Sequence, residues 1–248
     1  MVAKLSNILY VVKQNLPISD NNFIGIFVYG SQNYQLDSEE SDVDTILIVR
    51  SADESKQEIV LRVGKVKVYS LKHFIYRLKR GDLECYEILY TPHRIINPLY
   101  TERMEDFIKE FSICMNYERI KYSLYLKLDE HLSHTLWVIR NDEKARYNKK
   151  RFYWAIRVCN QLKRIDDGES FESSLVYRSL WPYDLRKIKT ITDYLSIKDF
   201  NTVYKRLVDF TQTRSCSSIS TSSEENQCLS NFYINMFEAI EHNGGDAS

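Results

Sequence analysis

At 248 residues, 44% hydrophobic and 27% charged, the chain is long enough to bury a sizeable core, and its composition is that of a globular protein rather than a disordered or fibrous one. Its 34 basic residues balance 34 acidic ones, so no global field recruits nucleic acid and any attraction for polyanions has to be local. The five cysteines (Cys85, Cys114, Cys159, Cys216, Cys228) form no CxxC pair, no apolar run approaches membrane-spanning length and VAKLSNILYVV is not a leader, so a cytoplasmic protein with reduced thiols and no membrane partner is expected.

Leu5, Ile8, Leu9 and Val12 recur at helical spacing and predict a helix over residues 3–15, ended by Pro17. Two apolar runs, residues 23–29 and 43–49, have the length and β-branched content of buried strands. A polar turn joins them, opening on Gly30-Ser31 and closing on Asp42-Val43-Asp44. Residues 51–56 read as a loop, and residues 58–62 with 66–70 as a strand pair turning at Gly64-Lys65. Leu71, Phe74, Ile75 and Leu78 predict a helix over residues 71–79; Gly81 closes it, and Asp82 caps another over residues 83–90, stopped by Pro92.

From about Glu102 the pattern is helical: residues 104–114, 117–137, 143–165, 170–180, 183–194 and 198–210. Residues 211–226 are serine-rich and read as a mobile linker, and helical periodicity returns over residues 229–241. The expected class is α+β, a small mixed-sheet unit followed by a C-terminal helical unit. The expected division is an α/β domain over 1–100, a helical domain over 101–210, a linker over 211–228, and a terminal helix and tail over 229–248.

The chemistry concentrates in the turn. Asp42 and Asp44, two residues apart in a strand, should project from one face. Adjacent carboxylates repel unless a cation lies between them, and hard oxygen ligands suit Mg²⁺, which commonly takes one or two carboxylates plus substrate phosphates. Gly30 lets the backbone come close to a ligand, and Ser31 would begin a short helix facing an anion. That layout suits phosphoryl or nucleotidyl transfer. The plain alternative is a solvated acidic turn, because Asp37, Glu39, Glu40, Asp42 and Asp44 form a charge run.

Gly30-Ser31 followed after ten residues by Asp42-Val43-Asp44 resembles the signature of the nucleotidyltransferase superfamily that includes DNA polymerase β. The fuller string GSQNYQLDSEESDVDT is similar to predicted nucleotidyltransferases of bacteria and phages. The similarity continues through residues 67–92, covers about the first ninety residues, and is weaker around residues 148–168. It implies an enzyme that moves a nucleoside monophosphate from an NTP to an acceptor hydroxyl on RNA, protein or a small molecule. Asp42 and Asp44 would be the catalytic Mg²⁺ (or Mn²⁺) ligands, with Gly30 and Ser31 on the phosphates. The pattern departs from the family at the third carboxylate: Lys65 and Lys67 occupy the expected strand, no acid occurs from Ile59 to Gly81, and Glu58, Glu84 and Glu87 are the nearby substitutes, with a structural pair the preferred reading of Glu87. Gln35 stands where the relatives tend to carry glycine. The alternative reading is therefore a weak or inactive relative that binds nucleotide, RNA or a protein partner; a toxin-like or antitoxin-like regulator is a third.

Residues 144–164 hold eight basic residues and no acid. Lys149, Tyr153 and Arg157 recur every four residues on one helical face and are candidates for nucleotide binding, with an RNA backbone or a plain solvated face as the alternatives. His131 and His134 lack further ligands to complete a zinc site. The sequence names no acceptor, no preferred nucleotide and no oligomeric state.

Overall fold

The computed structural model describes residues 2–16, 18–34, 42–51, 57–61, 64–141, 149–176, 178, 205, 209 and 220–241. The predicted helix over 183–194, that over 198–210 apart from Lys205 and Asp209, the loop over 51–56 beyond Ser51, and Asp37, Glu39 and Glu40 lie outside those residues. The expected α+β class is the class observed. The chain forms two compact units, one of Met1–Asn116 with Thr221–Ser248 and one of Tyr117–Ser220.

The first unit is built on five strands: β1 (Phe23–Val28), β2 (Thr45–Val49), β3 (Gln57–Leu61), β4 (Gly64–Ser70) and β5 (Arg94–Ile96), in the spatial order β3-β4-β2-β1-β5. β1 pairs antiparallel with β2 and β5, β3 antiparallel with β4, and β2 parallel with β4. Every residue of β1 and β2 is buried, which is why both read as continuous apolar runs rather than alternating ones. One sheet face, carrying Ile26, Val28, Leu47, Val49, Val66 and Val68, packs with Leu5, Ile8 and Val12 of α1 (Val2–Asn15). Each of those three α1 side chains contributes roughly 1.5–3 kcal/mol by leaving water. β5 was not legible in the sequence: three residues between Pro92 and Pro98 are too short to show a period, and pairing with β1 supplies the conformation.

α2 (Leu71–Lys79) and α3 (Leu83–Leu89) begin as expected, Ser70 Oγ accepting from His73 N and Asp82 from Glu84 N and Cys85 N. The first unit does not end near residue 100. α4 (Thr101–Cys114) buries Met104, Phe107 and Phe111, and Phe107 stacks on Phe232 at 3.8 Å, so both helices share one core. The terminal helix is also longer than expected. α8 (Ser223–Glu241) begins inside the segment 211–228 predicted as linker, and the cause is a capping box: Glu225 N donates to Ser222 Oγ at 3.1 Å and Ser222 N to Glu225 Oε2 at 3.4 Å. Ser222 and Glu225 carried that signal in the sequence, hidden by the serine-rich composition around them.

The second unit contains α5 (Tyr117–Asn141), α6 (Lys149–Asp166) and the short α7 (Phe171–Leu175). Its buried apolar residues include Ile120, Leu124, Leu128, Ala155, Ile156, Cys159 and Leu162. α7 stops at Leu175 rather than 180, with Val176 extended, and Arg164 collects the carbonyls exposed by that ending. Among the described residues no helix is long and apolar enough to cross a membrane.

Candidate functional site

At the end of β1 the chain turns sharply. Gly30 has φ +82°, a conformation that costs any residue with a Cβ, yet a Cβ there would meet nothing within 4 Å. The glycine is needed for the turn, and the space beside it is open. The helix expected from Ser31 is a single three-residue turn, Gly30–Gln32, so it provides individual N–H groups and no helix-terminal field.

Two polar anchors seat this turn. Asn33, buried, donates to Val28 O at 3.0 Å and accepts from Thr91 Oγ1 at 2.6 Å. Gly30 N donates to Glu87 Oε2 at 3.3 Å, and Glu87 on α3 is only 5% exposed. Glu87 is thus a structural anchor of the turn itself, and a phosphate approaching Gly30 N would meet a carboxylate already there.

Tyr29 N donates to Asp44 O at 3.0 Å, bringing the Gly30 turn and the acidic pair to one end of the β1–β2 ladder. The pair lies just before β2, which starts at Thr45, so it is not within the strand as expected. The alternation survives nonetheless: Val43 is buried, Asp42 exposed and Asp44 half-buried. Gly64, at φ +145°, makes this possible, because a Cβ on it would stand 2.3 Å from Val43 O. Asp44 Oδ1 then accepts from Lys65 N at 3.2 Å. The sequence marked Gly64 as a turn and gave no sign that it presses on Val43.

Basic residues occupy the part of β4 that runs beside Asp44. Thr45 pairs with Val66 in the parallel β2–β4 ladder, which places Lys65 beside Asp44. Lys65 Nζ lies 3.5 Å from Glu58 Oε1, while Lys67 Nζ pairs with Glu84 and sits 4.8 Å from the Tyr29 ring centroid. Of the three substitute acids, Glu58 and Glu84 are therefore paired with the two lysines, and Glu87 with Gly30 N. Burial first, then the charges of Glu84 and Asp44, with smaller effects from Tyr69 and Glu58, push the Tyr29 hydroxyl well above the usual tyrosine range. Among the described residues no group of three or more His, Cys, Asp or Glu converges to hold a metal.

Of the proposed site residues, Gly30, Ser31, Asp42 and Asp44 are brought together in the first unit. Lys149, Tyr153 and Arg157 are on α6 in the second unit. Arg157 is 7% exposed and lies 4.3 Å over the Trp154 ring, so its cation is held inside its own unit. The side chains of Lys149 and Tyr153 fall outside the described ones. His131 is buried, and His73 packs edge-on against Tyr69 at 4.9 Å.

No protein-family model matches the chain, and no curated protein matches it. Among solved structures it is similar to a nucleotidyltransferase-like protein from Exiguobacterium sibiricum 255-15, at 12% identity and a TM-score of 0.30, over 96% of this chain and 73% of that one. A likeness of this size decides nothing about function.

Proposed function

We propose that the Gly30 turn and the Asp42/Asp44 pair form a nucleoside triphosphate site, used for Mg²⁺-dependent transfer of a nucleoside monophosphate to an acceptor hydroxyl. The observation carrying this reading is the Tyr29 N to Asp44 O bond, which sets an open glycine turn beside an exposed carboxylate, Asp42, and a half-buried one, Asp44. Asp42 and Asp44 are hard oxygen donors that suit Mg²⁺ once triphosphate oxygens complete the shell, and they would hold it. When bound, the ion would neutralise charge on the phosphates and favour the acceptor as an alkoxide. The protein's own part is positional. Lys65 N orients the Asp44 carboxylate and Gly64 leaves Val43 room between the acids, while Ser31 on the turn would offer its hydroxyl to the phosphates.

A second reading, a nucleotide binder with little turnover, is favoured by one specific feature. Lys65 and Lys67 stand where the superfamily that the motif resembles supplies a third acid, and both are paired. One experiment separates the two. The purified chain is incubated with each α-³²P-labelled NTP, Mg²⁺ or Mn²⁺, and total RNA and protein, with an Asp42→Asn/Asp44→Asn control. Label on RNA or protein that vanishes in the control is the expected result. Calorimetric NTP binding without label would establish the second reading, and neither binding nor label would overturn both.

A further inference from the structure

α4 and α8 pack in a register marked at two points. The Phe107 and Phe232 rings stack at 3.8 Å, and Asn116 N donates to Glu225 Oε1 at 3.3 Å. Moving from the first mark to the second runs forward along α4 and backward along α8, so the helices are antiparallel. Cys114 lies between the marks on α4 and Cys228 between them on α8, at the same level of the pair. Each thiol bears on the other's ionisation, both are free, and Cys114 is the more exposed. The other described cysteines are set apart: Cys85 is buried against Arg77, and Cys159 is buried in the second unit.

We infer that Cys114 and Cys228 are a dithiol modification site, oxidised to an intramolecular disulfide by a small-molecule disulfide of the glutathione type. The Cys114 thiolate, reached first, attacks one sulfur of the oxidant; its S–S bond breaks, and one glutathione leaves as thiolate and takes up a proton. The Cys228 thiolate then attacks the Cys114 sulfur of the mixed disulfide and expels the second glutathione, protonated in turn. Two protein thiols are oxidised and one external disulfide is reduced to two thiols. The ring so closed includes every residue of Tyr117–Ser220, so oxidation ties together the two chain passages that bracket the second unit in sequence.

The surroundings set the rate. Burial pushes both thiols up, Cys228 to about 12, and the charges facing them are acidic: Glu110 on α4, and Glu224 and Glu225 on α8. Tyr86 from α3 contributes a neutral hydroxyl to Glu225 at 3.5 Å. Few thiolates exist near neutrality, so the pair is slow to react and quickens as pH rises.

The test incubates the full chain with oxidised glutathione at neutral and alkaline pH, alkylates the remaining thiols, and maps peptides without reduction. The expected result is a linked Cys114–Cys228 peptide that forms faster at alkaline pH, is reversed by dithiothreitol, and raises the melting temperature. Cys228→Ser should instead accumulate Cys114 as a mixed disulfide with glutathione, with a melting temperature near that of the reduced chain. Cys216→Ser should keep the linked peptide. Glutathione retained on Cys114 of the wild-type chain, a link that runs through Cys216, or no reaction at any pH would each overturn the assignment.

Discussion

Arg164 on α6 and Asp44 ahead of β2 are both charged residues next to a buried apolar one (Ile165 and Val43), and the fold treats them in opposite ways. Arg164 is 1% exposed, donating to Glu169 Oε1 at 3.0 Å and Oε2 at 2.5 Å and to the carbonyls of Ser173, Ser174 and Val176 at 2.7, 3.3 and 2.5 Å. Its cation is consumed in closing the end of α7. Asp44 is half-buried, with one oxygen held by Lys65 N, and Asp42 beside it faces water. Charge that the fold buries and partners is structural, and charge that it holds at a strand end, oriented from one side, is the charge the proposed site draws on.

Four sets of substitutions break or sharpen that contrast. The largest effect on stability is expected from Arg164→Met. It strands three carbonyls, each costing about 1–3 kcal/mol when left without a donor, so urea unfolding should show a loss of about 3–5 kcal/mol, while NTP binding by the folded fraction is unchanged. Asp44→Asn should invert the pattern. Asn still accepts from Lys65 N, so the melting temperature holds, while transfer in the label assay drops more than about 100-fold, beyond what loss of an outer-shell partner costs a metal site.

Two glycines sharpen the comparison within the site. Gly64→Ala drives a Cβ into the Val43 backbone. About 1–3 kcal/mol of stability should go with overpacking, together with transfer activity, because the acids on either side of Val43 move. Gly30→Ala meets open space and only the positive φ, so chemical denaturation should show a loss of about 1–2 kcal/mol, the cost of a left-handed residue.

The smallest effect is in pH dependence. Hydrogen bonding to Arg164 first, then its charge, holds Glu169 below its ordinary value of 4.5. A depressed carboxylate contributes stability that is present above the unfolded value and lost as pH falls through the folded one. Melting temperature against pH should therefore fall on the acid side, below 4.5, in the wild type and be flatter there in Glu169→Gln.

Much of the first unit was legible because its signals are local. Residues 71–79 show the spacing of Leu71, Phe74, Ile75 and Leu78 along with Gly81, and the helix has those bounds. The β1 and β2 runs were legible from apolar length alone. Of the candidate site, the Gly30 turn and the acidic pair could be found, since the need for positive φ and the two-residue spacing are properties of a few consecutive residues. Glu87, Thr91 and Gly64 were not found in those roles. Each acts on a partner twenty or more positions away (Gly30, Asn33 and Val43), and no periodicity carries that information.

The sequence by itself determined the class, most element positions, the acid pair and the absence of an acid where β4 runs, because apolar period, caps and residue identity are local quantities. Only the tertiary structure decided that α8 returns to the first unit, that Lys65 and Lys67 are neutralised by Glu58 and Glu84, and that Glu87 holds Gly30 N. Those outcomes depend on which distant groups lose water together. A charge meets its partner across a sheet or between helices only after the apolar faces have set the register.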